Sequence, residues 1–593
     1  MAALFTTPKR NDTTAGAHVA EPDVRRRIGL AHGSWRRVTR RIVSGAVCAL
    51  TVSSLLMPSV SLAAEWVKVG GNKYNTAASD EAGTWSWDGA DDLKLNNYNG
   101  GEIQAAGKLN VNYSGTNIVT AEWIESIKVS HGTNENAELN IQGDEGGTLS
   151  VTSTEDAILS TGNINIDGAG SVNATSTGFD AINAGGDLAI KGSGNVNATG
   201  ASDGIRANGN ITIDDSGAVT ARATKDKGIG ADKNLTIKGG GTVEASSADG
   251  EALWSGGNIN ISDGSQVKAS SEKDAAVEAK GSLAATNASL NVNGVEYGVY
   301  AYKGVTLDHA TVTVRTSASG GQAIALITDG DDIVVKNGST VDAFAEGEVS
   351  AAFSTRNDRP NEKGGHIYIS DSVVKAIARY VENGDGPIPY SENQDGETRR
   401  EPQGENIGII AQTSEGVTPA VISIIRSKVT AEGDTAAIFA RAMSADGKTI
   451  GTIKIENAAI QTPEGGKVID YRKLRDGIYE AGQAIGTGDA TVDSLYIKAV
   501  AKSTTIAPPE VAKPEDPKPD ETKPAESKPA ESKQNPKPEG SKPTKAVAAS
   551  TTKAKTTGVL AATGDTSSAA IVATVLAGTA AIAAGTMASR KRS

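Results

Sequence analysis

The sequence is poor in cysteine, histidine and aromatic residues. Its single cysteine, Cys48, excludes a disulfide framework within the chain, and its five histidines leave few ligands for a metal centre. Aromatic residues make up only 4% of the chain, against 68 glycines, so a core of bulky side chains is not expected. The net charge of −13 argues against nucleic acid as a partner, because an acidic surface repels phosphate groups. We therefore expect small residues that stack, and no cofactor.

Residues 85–500 contain a sequence repeat with a period of about 24 residues. Each repeat has three short segments in which apolar and polar residues alternate, separated by Gly, Asn, Asp and Ser. The first segment contains Ile164, Leu188, Ile211, Leu235, Ile259 and Leu283 in successive repeats. The second contains Val172, Val196, Val219, Val243 and Val267, and the third contains Ile182, Ile205, Ile229, Leu253 and Val277. The pattern predicts three strands per repeat.

A repeat that cannot bury its own apolar side must stack on its neighbours, which makes a solenoid. We predict an all-β protein, a right-handed parallel β-helix over residues 85–500, with small residues such as Ala174, Ala184, Ala198 and Ala207 pointing inward. A leucine-rich repeat is disfavoured because its leucine and asparagine spacing is absent. An array of β-sandwiches is disfavoured because the segments recur with each repeat and not with each domain length.

The start of this region reads GTWSWDGADDLKLNNYNGGEIQAAGKLNV. It resembles the opening of β-helix surface proteins of Gram-positive gut bacteria, some of which are described as carbohydrate-binding. The resemblance implies an architecture more than a ligand. Trp66, Trp85 and Trp87 therefore have two interpretations: with the lead-in of residues 64–84 they cap the open end of the solenoid core, or they offer flat rings to a sugar.

Residues 1–63 have the features of a secretory signal peptide. Arg36, Arg37, Arg40 and Arg41 precede an uncharged run from Ile42 to Leu62, and the following small residues predict cleavage between Ala63 and Ala64. A retained membrane anchor is the alternative. The segment before the apolar run is unusually long, so we expect that translation starts later, for example near Val38.

The last residues, 560–593, combine a short motif, an apolar run and a basic tail. Ser567 to Ala588 are 22 uncharged residues, which as a helix would span about 33 Å, and Arg590, Lys591 and Arg592 follow. With the motif Leu560, Ala561, Ala562, Thr563 and Gly564, this arrangement resembles the cell-wall sorting signal of Gram-positive surface proteins. The resemblance implies that a sortase joins Thr563 to peptidoglycan and discards the chain from Gly564 onward. Ala561 departs from the commoner proline, which leaves the sortase class open. A permanent membrane anchor is the alternative.

Residues 501–559 form a linker rich in proline, lysine and glutamate. Such prolines favour an extended polyproline II conformation, at roughly 3.1 Å per residue. We interpret the segment as a spacer that crosses the cell wall, with a binding tract for proline-recognising modules as the alternative.

Insertions between regular repeats are the better place to look for a ligand site. The segments 354–365, 412–420 and 441–451 fall at the same corner of their repeats, and the longest insertion, 383–406, falls at another corner. That insertion holds Tyr390, Arg399 and Arg400 and is either a recognition loop or a disordered one.

The motifs of common enzymes are missing from the sequence, including serine–histidine–acid arrangements and phosphate loops. We therefore predict a non-catalytic adhesin or glycan-binding rod at the cell wall, with a host or microbial glycan or a matrix protein as its partner. A polysaccharide-degrading enzyme and a purely structural stalk remain as alternatives, the first by fold analogy alone.

Overall fold

The structure is a computed structural model that describes residues 63–130, 137–357, 365–381, 391–392, 398–399, 405–414, 417–445, 447–475, 478–488 and 499–509. All of them lie in the first of two compact units, Met1–Ala512; the second unit is Lys513–Ser593. Residues 1–62 of the predicted signal peptide, most of the linker and the whole predicted sorting signal lie outside the described residues. Within the described ranges, no helix is long and apolar enough to span a membrane.

The described residues form β-strands and no helix, which confirms the all-β prediction. Most strands stack in parallel as three ladders, which we call face 1, face 2 and face 3 in their order along each coil. Face 1 consists of Asp92–Asn96, Lys108–Ser114, Glu138–Gly143, Asn163–Gly168, Leu188–Lys191, Ile211–Asp214, Leu235–Lys238, Ile259–Ser262, Leu283–Thr286, Val305–Asp308, Ile333–Lys336, Ile367–Ser370, Val421–Ile425 and Thr452–Glu456.

Faces 2 and 3 belong to one sheet, because two long strands, Thr311–Asp329 and Thr340–Asn357, run through both of them. The other strands of face 2 are Asn99–Gly100, Thr116–Ala121, Thr148–Ser153, Ser171–Ser176, Val196–Gly200, Ala218–Ala223, Thr242–Ser247, Gln266–Ser271, Ser289–Gly294, Val373–Tyr380 and Lys428–Gly433. Those of face 3 are Ile103–Ala106, Ile127–Ser130, Ile158–Ser160, Ile182–Ala184, Ile205–Ala207, Ile229–Ala231, Leu253–Ser255, Val277–Ala279, Tyr297–Ala301, Asn406–Thr413 and Ala436–Ser444. A separate hairpin pairs Ser391–Glu392 with Thr398–Arg399.

The register of the ladders follows the sequence repeat. On face 1, Ile164 pairs with Leu188, Leu188 with Ile211, and the column continues to Leu283. The predicted valine column of face 2 and the predicted column of face 3 are formed in the same way. All these side chains are buried in one continuous core. The repeat prediction is therefore confirmed as a solenoid of parallel strands.

Small inward residues fill the core between these columns. Ala174, Ala184, Ala198 and Ala207 are all at most 1% exposed. An alanine beside each larger aliphatic side chain narrows the coil, so that three faces can close on one another without large rings.

Both ends of the stack are closed by antiparallel strands. At the N-terminal end Val67–Val69 pairs with Asn72–Tyr74 and Ile103–Ala106, while Trp85–Trp87 pairs with Ala78–Ser79 and Asp92–Asn96. At the C-terminal end Ser503–Ala507 pairs with Ala459–Thr462 and Lys428–Gly433. Ile478–Gly486 pairs with Lys467–Arg475 and Ala436–Ser444. These strands cover edges that would otherwise be free to pair with other chains.

Candidate functional site

The outer surface of face 3 carries a group of aromatic and charged side chains midway along the solenoid. Trp254, Glu278 and Tyr300 are in direct register on three consecutive strands, and all three point away from the core. The face 2 strands of the same coils, Thr242–Ser247, Gln266–Ser271 and Ser289–Gly294, contain no aromatic residue. We call the following set the aromatic face: Trp254, Glu278, Lys280, Tyr297, Tyr300, Tyr302, Asp329 and Arg356.

The three tyrosine rings of the aromatic face pack on one another. The rings of Tyr300 and Tyr302 stack with centroids 4.5 Å apart and an interplanar angle of 16°. The ring of Tyr297 lies 5.1 Å from that of Tyr300. Tyr297 and Tyr302 are half-buried, whereas Tyr300 is only 8% exposed. Aromatic rings at these distances attract one another beyond the area that they bury.

Gly298 allows Tyr297 and Tyr300 to lie on the same side of their strand. The pairing with the next coil skips Gly298, so that two consecutive residues, Gly298 and Val299, face inward. A Cβ atom on Gly298 would lie 2.1 Å from a methyl carbon of Val314 and 2.6 Å from the carbonyl oxygen of Ala325. Any larger residue would therefore push the strand out of the stack.

Hydrogen bonds from charged side chains fix these rings. The hydroxyl of Tyr300 donates to Asp329 Oδ2 at 2.9 Å, and Arg356 Nε donates to Asp329 Oδ1 at 2.9 Å. Lys280 Nζ donates to the hydroxyl of Tyr302 at 3.0 Å and also pairs with Glu278. Because every member is on a strand or at its end, the surface is held rigidly.

Trp254 is the half-buried aromatic residue at the N-terminal side of this surface. The Lys227 ammonium lies 5.2 Å from its ring centroid, which is within the range of a cation–π interaction. Trp254 and Tyr300 are two coils apart, or about 10 Å along the stack. The ring of Tyr300 is buried in a second apolar cluster with Ile324 and Ile327, so a ligand lying along the axis would contact the half-buried rings of Trp254 and Tyr302.

Two carboxyl groups, Glu251 and Glu278, share a hydrogen bond beside Trp254. Burial, followed by that hydrogen bond, raises the pKa of Glu251 to about 7. Burial alone would lower the pKa of Lys280, but its hydrogen bonds to Glu278 and Tyr302 outweigh this and raise it. Burial also raises the pKa of Tyr300 far above its usual value, so its hydroxyl stays protonated. At neutral pH the aromatic face therefore carries both hydrogen-bond donors and hydrogen-bond acceptors.

The charges of the aromatic face are balanced. Glu278 pairs with Lys280, and Asp329 pairs with Arg356 at 2.8 Å. A surface of this kind has no excess positive charge with which to attract phosphate or sulfate groups. Its chemistry suits an uncharged ligand that has both flat apolar sides and hydroxyl groups.

Trp85 and Trp87, which the sequence offered as a sugar platform, lie inside the N-terminal end of the solenoid. They are 7% and 2% exposed, and they pair across strands with Leu95 and Leu93. The Nε1 atom of Trp87 donates to the carbonyl oxygen of Ala90 at 3.2 Å. In this conformation neither ring face is open to a sugar, so the geometry favours the cap interpretation.

The other candidate residues are not brought to the aromatic face. Tyr390, Arg400 and the side chain of Arg399 lie outside the described residues, as do Leu560, Ala561, Ala562, Thr563 and Gly564. The strand after the long insertion, Asn406–Thr413, belongs to face 3 of a coil near the C-terminal end, roughly 50 Å from Trp85 along the stack. The strand that follows the insertion is therefore far from the tryptophans along the stack. At the predicted cleavage point, Ala63 is exposed and Ala64 is 5% exposed.

The predicted corners of the insertions agree with the strands that flank them. Segments 354–365, 412–420 and 441–451 each connect a face 3 strand to the next face 1 strand, such as Asn406–Thr413 to Val421–Ile425. The insertion at 383–406 connects Val373–Tyr380 of face 2 to Asn406–Thr413 of face 3. Residues 358–364, 382–390, 393–397, 400–404, 415–416 and 446 lie outside the described residues.

Sequence reasoning missed the aromatic face, although a signal for it was present. Trp254, Glu278 and Tyr300 are each the residue that follows a core position of the third segment, in LWS, VEA and VYA. Aligning the outward positions of that segment, and not only the inward ones, would have placed them in one column.

In the described ranges, one group of acids has the spacing of metal ligands: Asp88, Asp91 and Asp92, whose carboxylate oxygens lie within 4.8 Å of one another. Asp88 Oδ1 already accepts the backbone amides of Ala90 and Asp92, at 2.8 Å and 3.1 Å. The group therefore closes a turn, as aspartate commonly does.

Comparison of the chain with protein-family models, curated proteins and solved structures found no match. The functional argument therefore depends on the residues themselves.

Proposed function

We propose that this protein is a cell-wall-anchored surface protein whose solenoid binds a glycan outside a Gram-positive cell. The sequence signals support the location: a predicted signal peptide, a proline-rich spacer, and the LAATG motif followed by an apolar run and a basic tail. The coils are expected to wind right-handed, because parallel crossover connections do so almost without exception.

Attachment would proceed through Thr563. The cysteine of a sortase attacks the carbonyl carbon of Thr563, and the peptide bond to Gly564 breaks as the glycine amine leaves. An amine of peptidoglycan then takes the threonyl group and releases the cysteine. Sortase is a transient partner in this scheme, and peptidoglycan is a covalent one.

The single observation that supports glycan binding is the aromatic face. Tryptophan and tyrosine rings match the apolar sides of sugar rings, and the exposed Lys280 and half-buried Asp329 would exchange hydrogen bonds with hydroxyl groups. Glu278 and Arg356 are buried and hold Lys280 and Asp329 in place. Successive coils place Trp254, Glu278 and Tyr300 about 4.8 Å apart along the axis. A neutral oligosaccharide lying along the axis would fit this arrangement better than a compact small molecule.

Binding of the full chain to an array of neutral, acidic and amino glycans tests the proposal, with matrix proteins as a second arm. We expect a neutral oligosaccharide to bind, and we expect Trp254→Ala and Tyr302→Ala each to weaken binding at least tenfold. Trp123→Ala, an exposed tryptophan outside the aromatic face, is the matched control and should bind normally. Equal affinity of all three variants would refute the role of this surface.

One observation is compatible with the enzyme alternative. The pKa of Glu251, raised to about 7, suits a group that donates a proton at neutral pH. However, Glu251 and Glu278 are hydrogen-bonded to each other, whereas the paired carboxyls of glycosidases stand about 5 to 9.5 Å apart. We therefore favour binding. New reducing ends or unsaturated products after incubation with the bound glycan would support the enzyme, and a lack of any binding would support the structural stalk.

A further inference from the structure

The corner between face 2 and face 3, near the N-terminal end, carries the two most exposed aromatic side chains in the part of the chain that the structure describes. Trp123 is 80% exposed and Phe179 is 51% exposed. Aromatic residues make up only 4% of the chain, and these two exposed rings contribute little to the buried core. Exposed apolar side chains at one corner indicate a binding surface.

Both rings occupy the turn that follows the same position of their coils. Ala121, Ser153 and Ser176 are in register at the ends of consecutive face 2 strands, and Trp123 and Phe179 follow the first and the last of them. The rings are therefore two coils apart, or about 9.6 Å along the axis. Trp123 has a positive φ of 66°, and its amide donates to Thr154 Oγ1 at 2.8 Å, so the turn holds it in a fixed direction.

Carboxyl groups lie between and beside the rings. Glu122 is exposed next to Trp123, and Glu155 and Asp156 are half-buried in the intervening coil. Asp180 adjoins Phe179 and is 7% exposed. Among the cations near the corner, Lys128 pairs with Glu125 at 2.8 Å, and Arg206 interacts electrostatically with Asp180. The oxygens of Asp156 and Asp180 already accept hydrogen bonds from backbone amides and from Asn183. The carboxylates that remain beside the two rings are those of Glu122 and Glu155, and carboxylates next to exposed aromatic rings favour ammonium and guanidinium groups.

The same corner continues into a shallow groove of about 270 Å³, lined by Thr199, Arg222, Ser246 and Glu272 among others. A ligand that follows the corner is thus an extended chain lying along the axis. A polyproline II helix has three residues per turn and a rise of about 3.1 Å, so it repeats its side-chain direction every 9.3 Å or so. That repeat is close to the spacing of the two coils that carry these rings, in which Trp123 lies two residues after Ala121 and Phe179 lies three residues after Ser176.

We propose that this corner docks a basic polyproline II segment of a partner protein, with a lysine or arginine at positions i and i+3 over Trp123 and Phe179. The rings contribute cation–π attraction, and Glu122 and Glu155 complement the remaining charge. This site is distinct from the aromatic face and does not depend on glycan binding.

The test uses the full chain and labelled peptides of repeated Lys-Pro-Pro. Repeated Glu-Pro-Pro serves as a control for charge, and repeated Lys-Pro-Pro-Pro as a control for spacing. We expect Lys-Pro-Pro to bind at least tenfold more tightly than either control, and its affinity to fall as salt is added. Trp123→Ala and Phe179→Ala should each weaken binding about tenfold, and Glu122→Gln by a few fold.

Trp254→Ala is the matched control variant and should bind the peptide normally, although it should lose the glycan. The circular dichroism of Trp123→Ala and Phe179→Ala should equal that of the unaltered chain, because both rings are exposed. The proposal is overturned if Lys-Pro-Pro does not bind, if Glu-Pro-Pro binds equally well, or if both ring variants keep full affinity. Binding of amino-sugar oligomers without binding of the peptide would also overturn it.

Discussion

At the scale of single residues, two corners of the solenoid use different side chains to accept hydrogen bonds from backbone amides. Between faces 3 and 1, the side-chain oxygens of Asn163, Asp187, Asn210, Asn234 and Asn258 each accept the backbone amide of the corresponding residue one coil further on. Between faces 2 and 3, Asp156, Asp180 and Asp203 do the same, at 3.0, 2.9 and 2.6 Å. The first ladder is largely neutral, whereas the second buries carboxylates.

The buried carboxylates make stability depend on pH. Burial raises the pKa of Asp203 from 3.8 to about 6. A carboxyl whose pKa is higher in the folded state than in the unfolded state contributes stability that is fully present below the unfolded value of 3.8. That contribution is lost as the pH rises through about 6. Burial also raises the pKa values of Asp156 and Asp180, so the whole ladder acts in the same direction.

We predict that Asp203→Asn stabilises the chain at pH 8 by about 1–2 kcal/mol and has little effect at pH 4. An asparagine oxygen still accepts the amide of Lys227, but it carries no charge that must be desolvated. Part of the gain is offset because Asp203 pairs with Arg206 at 3.4 Å. The measurement is the midpoint of denaturant unfolding at both pH values.

Asn210→Asp is the matched control for that experiment, because Asn210 performs the same task in the neutral ladder. It should destabilise the chain at pH 8, where a new carboxylate would face Asp187, to which Asn210 Nδ2 now donates at 3.1 Å. If both variants change the midpoint equally at pH 4 and pH 8, the electrostatic explanation is wrong.

The position of a side chain in the fold could be predicted from the sequence where the core imposes a period. The inward columns around Ile211, Val219 and Ile205 follow directly, because each coil must put an apolar residue there. Outward residues such as Trp254 and Trp123 obey no such constraint. The column that contains Trp254 follows once the outward positions of the repeat are aligned, whereas Trp123 lies in a corner turn that the sequence period does not specify.

At the scale of elements, the structure bears most directly on the two interpretations of Trp85 and Trp87, as a cap of the core or as a sugar platform. Trp87 lies against the first coil and is 2% exposed. The ring centroids of Trp85 and Tyr74 are 5.1 Å apart. Rings in this position shield the first apolar layer from water, which a solenoid end requires.

We predict that Trp87→Ala lowers the stability of the chain by about 3–5 kcal/mol, because it leaves a cavity at the open end of the core. Hydrogen exchange should accelerate first in Asp92–Asn96 and Lys108–Ser114, the face 1 strands nearest the cap. Trp254→Ala, which removes an outward ring, is the control and should leave exchange in these strands unchanged. Normal stability of Trp87→Ala together with lost glycan binding would instead support the sugar-platform interpretation.

Other elements could not be predicted because they break the repeat. The long strands Thr311–Asp329 and Thr340–Asn357 lose the turn between faces 2 and 3, so the period lengthens and the segments merge. The C-terminal strands Lys467–Arg475, Ile478–Gly486 and Ser503–Ala507 pair antiparallel. Alternating residues look the same in a parallel and an antiparallel strand, so the sequence offered no sign of the change.

At the scale of the whole molecule, the two candidate surfaces lie at different positions along the axis of the described solenoid. The corner of Trp123 and Phe179 lies near the N-terminal end, and the aromatic face lies several coils further along. Because a solenoid is stabilised by contacts between neighbouring coils, each surface can be altered without disturbing the other.

The proposed attachment gives the last prediction. If the chain is anchored as we propose, Thr563→Ala should abolish the linkage to peptidoglycan in a Gram-positive cell that expresses it, because the residue whose carbonyl the sortase attacks has been changed within its recognition motif. The altered protein should then appear in the membrane fraction and the medium, whereas the unaltered chain should require a muramidase for its release from boiled walls. Ala562→Ser, at the variable position of the motif, is the control and should remain attached. A Thr563→Ala protein that still requires the muramidase would show that another group forms the bond.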